Sequence, residues 1–111
     1  GATCAACGAV CGVAYLYGYG YDAVANIITN TLATIGGMVC DGAKPSCAAK
    51  IASALDAAFM AFDLQREGGV FAPGEGLVRA DVEKTIQAVG KMGRDGMKST
   101  DTEILEIMLG E

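Results

Sequence analysis

Apolar positions along this chain recur mostly at helical spacing, and small residues dominate them. Residues 2–17 alternate alanine, glycine and cysteine with few bulky side chains, and the Gly18-Tyr19-Gly20 turn closes the stretch. Cys4, Cys7 and Cys11 follow i, i+3, i+7 spacing there and share one face. Ala5, Gly8 and Gly12 form a small-residue row that lets another helix approach closely. A second helix is predicted over about 22–35, with Asp22 as its N-cap and Gly36-Gly37 as its stop. A third runs from about 46 to 66, with Ser46 as its cap or Pro45 as its first residue. Ile51, Leu55, Phe59 and Phe62 form its bulky stripe, and alanines fill much of the rest. A segment apolar nearly all round predicts burial on several sides.

The next stretch, 68–80, holds four glycines and Pro73 and reads as a loop that Leu77-Val78 anchor. Asp81 caps a fourth helix carrying Val82, Ile86 and Val89, which weakens at Gly90 and Gly93. Thr100-Asp101-Thr102-Glu103 reads as a capping box opening a last helix over about 101–109. The expected fold is therefore all-α: a compact bundle of about five helices, with a cysteine-bearing loop before the long third one. There is no internal repeat. The domain expectation is one helical domain over residues 1–111. The chain lacks an initiator methionine and opens directly in a helical pattern, so it reads as the C-terminal part of a longer protein.

Composition narrows the function classes. The net charge is −5, and no lysine or arginine precedes Lys44. An acidic chain without a basic arm is a poor phosphate binder, so nucleic acid is not expected as a partner. The first 40 residues carry one charge, Asp22. Their glycines, threonines and asparagines, and their few leucines, point to helices buried in protein rather than in a membrane. No basic segment precedes the apolar run as in a secretory signal. Five cysteines are an odd number for a secreted disulfide framework, and a reducing cytoplasm fits better. The small-residue faces hint at a homo-oligomer.

With five cysteines and no histidine, the available chemistry is thiolate-held metal, redox cysteine or buried filler. Cys40-Asp41-Gly42-Ala43-Lys44-Pro45-Ser46-Cys47 concentrates the interest. Cys47 falls at the start of the third helix, where outward-pointing amides and the positive end of the helix dipole favour the thiolate. Two thiolates beside exposed amides suit an iron–sulfur cluster. The spacing is equally compatible with two buried fillers, and a closed zinc site would need further ligands from Cys4, Cys7 or Cys11. Helix packing is the simpler role for those three. Asn26 and Asn30, one turn apart on an apolar helix, need partners and point toward a polar site. Tyr15, Tyr17, Tyr19 and Tyr21 read as amphipathic anchors.

The string Gly36-Gly37-Met38-Val39-Cys40-Asp41-Gly42-Ala43-Lys44-Pro45-Ser46-Cys47 resembles the iron–sulfur L-serine dehydratase alpha-chain superfamily, and within it the L-cysteine desulfidase branch. Cys11-Gly12-Val13-Ala14-Tyr15, Glu75-Gly76-Leu77-Val78 with Asp81-Val82-Glu83, and Gly96-Met97 with Thr100-Asp101 agree in order. The resemblance implies a helical domain holding a [4Fe–4S] cluster on three cysteines, without PLP. It implies α,β-elimination on a small amino acid: L-cysteine to pyruvate, ammonia and sulfide, or L-serine to pyruvate and ammonia. Cys40 and Cys47 carry over as cluster ligands. The family's first ligand falls at or before Gly1, and Cys4 is the nearest candidate within the chain. The family's catalytic base lies upstream, so the fragment alone is expected to be inactive. The alternative is a non-catalytic module, either metal-binding or redox, or a helical interaction module with buried cysteines.

Overall fold

In the computed structural model, residues 2–39 and 45–110 are described. Five α-helices follow one another: α1 (Ala2–Leu16), α2 (Tyr21–Ile35), α3 (Pro45–Arg66), α4 (Val82–Lys91) and α5 (Lys98–Met108). A π-helical turn, Met92–Gly96, joins the last two. No strand occurs among the described residues. The all-α bundle expected from the sequence is the observed fold.

Helices α1, α2 and α3 pack against one another and enclose the core. Its fully buried members are Val10 and Ala14 of α1, Ile27 of α2, and Ala54 and Ala58 of α3, with Ala6, Ala61 and Phe62 nearly so. Alanine has the highest helix propensity and no side-chain entropy to lose, so α1 and α3 form readily and their backbones approach closely. Helix α2 is different, because β-branched residues are stiff and crowd a helix. Its threonines satisfy their hydroxyls on the preceding turn, Thr29 and Thr31 from buried positions and Thr34 from an exposed one. Thr29 donates to the Ala25 carbonyl at 2.9 Å, Thr31 to Ile27 at 2.7 Å and Thr34 to Asn30 at 2.8 Å.

Glycine ends two of these helices in the same way. At Gly18 (φ 89°), Gly18 N–H reaches the Tyr15 carbonyl and Tyr19 N–H reaches Ala14. At Gly68 (φ 82°), Gly68 N–H reaches Gln65 and Gly69 N–H reaches Leu64. Both are Schellman closures, which need a left-handed residue after the helix. Past Gly18, Tyr19 turns its ring edge-on to Phe62, with centroids 5.3 Å apart, and the Arg66 guanidinium lies over Phe62 at 5.7 Å.

Asn30 is fully buried and latches the loop after α3. Its amide nitrogen donates to the Ala61 and Gly69 carbonyls at 3.4 and 3.3 Å, and its oxygen accepts from Phe71 N–H at 3.0 Å. Val78, 1% exposed, anchors the same loop further on. Asp81 caps α4 as expected, accepting from Lys84 N–H at 2.8 Å.

Four expectations need correction. The bulky stripe of α3 faces the core only in part: Phe62 is buried in it and Leu55 packs against it, while Ile51 and Phe59 are 48% and 44% exposed. The alanine face is buried beside them, because only small side chains allow α1 and α2 to sit so close. Asp22 is not the N-cap of α2. Gly20 holds that position without a side-chain bond, and Asp22 lies in the first turn, where its charge meets the helix dipole. The Thr100–Glu103 capping box does not form. The π-helical turn delivers the chain into helix earlier, so α5 starts at Lys98 and Thr100 is inside it. Finally, the Ala5, Gly8 and Gly12 row receives no helix: these residues are exposed, with nothing within 4 Å of a Cβ built at Gly8 or Gly12.

Candidate functional site

Cys47 is the third residue of α3, after Pro45, which suits a first helical position because it has no N–H to leave unsatisfied. The thiol is half-buried and lines a cavity of about 120 Å³. Ala2 and Thr3 of α1, Met38 and Val39 from the segment after α2, and Lys50 and Ile51 of α3 complete its wall. The start of α1 thus meets two segments from residues 38–51 around one thiol. Among the described residues, Lys50 is the one charged group in that wall. The N-terminal amides of α3 add to the same sign.

The other expected ligands stand differently. Cys40 lies outside the described residues, as do Asp41 and Lys44. Cys4 is exposed on the first turn of α1 and does not line the Cys47 cavity, although its neighbour Thr3 does. Cys7 and Cys11 face α2 rather than Cys47. The Cys11 sulfur sits 4.0 Å from the Val24 carbonyl. The hydrogen bond between the two thiols pushes Cys7 far above its ordinary value, burial adds to that, and Thr31 partly opposes it. The same bond pulls Cys11 below its ordinary value against the effect of its own burial. These two cysteines do what the packing expectation asked of them. No group of three or more metal-capable side chains forms among the described residues.

Sequence reasoning pointed to Cys47 but not to its neighbours Thr3, Met38, Val39 and Lys50. Lys50 had a usable signal, since it lies at i+3 from Cys47 on the same helix face. The α1 contribution had none, because it depends on tertiary packing. Asn30 is satisfied internally as a latch. Asn26 lines a separate cavity between α2 and the 70–82 segment.

A family model for the serine dehydratase alpha chain matches residues 1–106. The chain belongs to the serine dehydratase alpha chain family. Curated relatives bear the same relation along nearly the whole chain. UPF0597 protein DSY1109 of Desulfitobacterium hafniense (strain Y51) is 50% identical over 111 residues, covering 100% of this chain and 26% of the relative. A UPF0597 protein of Treponema denticola is 48% identical over 109 residues, covering 98% and 24%. Another, of Lachnoclostridium phytofermentans, is 49% identical over 109 residues, covering 98% and 26%. The chain therefore spans about a quarter of the length of these relatives. No solved structure matches it. No helix among the described residues is long and apolar enough to cross a membrane.

Proposed function

We propose that this chain carries part of the iron–sulfur site of a PLP-independent lyase. The lyase eliminates sulfide from L-cysteine, or water from L-serine, to give pyruvate and ammonia. The observation that carries this reading is the Cys47 cavity, where a half-buried thiol at a helix start shares a wall with a lysine. Membership of the serine dehydratase alpha chain family supports it.

The donor chemistry there fits a thiolate-held cluster. Each coordinating thiolate brings a negative charge, which the α3 amides and Lys50 offset, and cluster sulfurs accept hydrogen bonds from such amides. In this reading Cys47 and Cys40 are two ligands, and Cys4 or a residue beyond the chain is the third. When bound, the cluster supplies a Lewis acid at its open iron. The chain's own residues do the rest of the local work. Met38, Val39 and Ile51 give the half-buried thiol an apolar surround, and Lys50 places positive charge in the same wall. A reducing cytoplasm is the matching compartment, since free thiols persist there.

The experiment is anaerobic purification of the intact protein, with and without Cys47→Ser. The proposal expects broad iron–sulfur absorbance and pyruvate from L-cysteine or L-serine, both lost in the variant. Wild-type protein that takes up no iron on reconstitution refutes it. The second reading, a helical module with packed cysteines, draws on Cys7 and Cys11 against α2. Chelation that leaves the melting midpoint unchanged would favour it.

A further inference from the structure

Helix α1 carries no charged side chain on any face, since none occurs in residues 1–21. Each of the other four α-helices exposes at least one, among them Asp22, Asp56, Glu83 and Glu103. One side of α1 is core, through Ala6, Val10 and Ala14. The opposite side is a single row down the helix, Ala5, Gly8, Ala9, Gly12 and Leu16, and all of it is exposed. A helix that is apolar all round is ordinarily buried all round. In this bundle α1 is buried on one side only.

The exposed bulk gathers at the C-terminal end of that face. Tyr15, Leu16 and Tyr17 are 72%, 84% and 76% exposed. Val13 joins Leu16 and Tyr17 around an open hollow of about 360 Å³. A contiguous apolar surface of this kind marks an interface. On its α3 side, Val13 and Tyr17 border Asp63 and Arg66. Those two charges pair with each other at 3.6 Å, and the guanidinium also lies over Phe62. The rim is therefore satisfied within the bundle, and the face itself suits an uncharged partner.

We infer that this face is covered by an apolar helix from the part of the full-length protein that lies outside this chain. The length of the relatives supplies the occupant. The chain covers 26% and 24% of two of them, so about three quarters of each polypeptide lies outside this bundle. A segment of the same polypeptide is held at high effective concentration, which favours it over a second copy. Nothing lies within 4 Å of a Cβ built at Gly8 or Gly12, so the row is flat and another backbone can come close. An extended segment would leave its amides and carbonyls without partners against such a face, whereas a helix satisfies its own. None of these residues lines the Cys47 cavity, so the inference does not depend on the cluster reading.

Hydroxyl-radical footprinting of the intact, iron-free protein, read by mass spectrometry, tests it. Tyr15, Leu16 and Tyr17 should be oxidised at least tenfold less than in urea-unfolded protein. That protection should persist unchanged when the protein is diluted a hundredfold. A second arm uses Gly12→Leu. On an open helix face leucine is the better helix former and raises the melting midpoint. Under a packed helix it has no room and should lower the midpoint by about 2 °C or more. The inference is overturned if the three residues react as they do in unfolded protein, or if Gly12→Leu raises the midpoint. Protection lost on dilution also overturns it, because the cover is then a second copy. Because the protein is iron-free, these outcomes are independent of whether a cluster forms on Cys47.

Discussion

Asn30 shows how one polar side chain can organise a helical fold. It is fully buried, and it exchanges three hydrogen bonds with α3 and the loop beyond it. Replacing it with leucine keeps the branched heavy-atom shape but strands two carbonyls and an amide. We expect Asn30→Leu to cost about 3 kcal/mol, measured by urea unfolding. A loss under about 0.5 kcal/mol would mean the latch is redundant. The thiols of α1 give a second residue-scale prediction. Cys7 is held protonated by its bond to Cys11 and by burial, whereas Cys11 is shifted down and half-exposed. As pH rises, Cys11 should therefore react with iodoacetamide first, and Cys7 only on unfolding. Mass spectrometry of partially alkylated native protein reads the order directly. The requirement that buried amides find partners was legible at Asn26 and Asn30, but which partners was not. Asn30 closed on its own fold and Asn26 did not, a distinction made by the position of the 68–71 loop.

At the scale of the element, small residues decide the packing. The core face of α3 is alanine with Phe62, and its bulkier Ile51, Phe59 and Met60 stay 44–50% exposed. Ala58 is fully buried where α3 meets its neighbours. Ala58→Leu has no room, and overpacking there should destabilise by about 1–3 kcal/mol. Phe59→Leu on the outer face should change stability by less than about 0.5 kcal/mol. Thermal melts of the two variants distinguish this arrangement from one in which the bulky stripe is the core. Gly68→Ala should cost about 1–2 kcal/mol, because φ of 82° at the helix end is strained for an L side chain. The helices themselves were readable from periodicity, and so were the Gly18, Gly36 and Asp81 boundaries. Which bulky residues of α3 enter the core was not, because that depends on tertiary packing: Phe62 and Leu55 pack inward while Ile51 and Phe59 stay outside. The start of α5 was missed for a related reason. A capping box at Thr100 competes with a π-helical turn that no local residue announces.

On the scale of the molecule, the bundle measures 49 × 29 × 16 Å. Its shortest dimension is less than two helix diameters. Core residues are shared among α1, α2 and α3, while α5 buries none and leaves Leu105, Ile107, Met108 and Leu109 exposed. Two cavities lie beyond opposite halves of α2, one around Cys47 and one between Arg79 and Asp81. The Cys47 cavity was half-legible beforehand. Its thiol could be chosen from the cysteine loop and the helix start, but Thr3 and Val39 join it only through folding. The central claim is that Cys47 holds part of an iron–sulfur cluster. The most direct test is the iron and acid-labile sulfide content of the intact protein after anaerobic reconstitution, wild type against Cys47→Ser. A cluster on Cys47 requires about four irons and four sulfides per wild-type chain and almost none in the variant. Equal iron and sulfide in both proteins would contradict it.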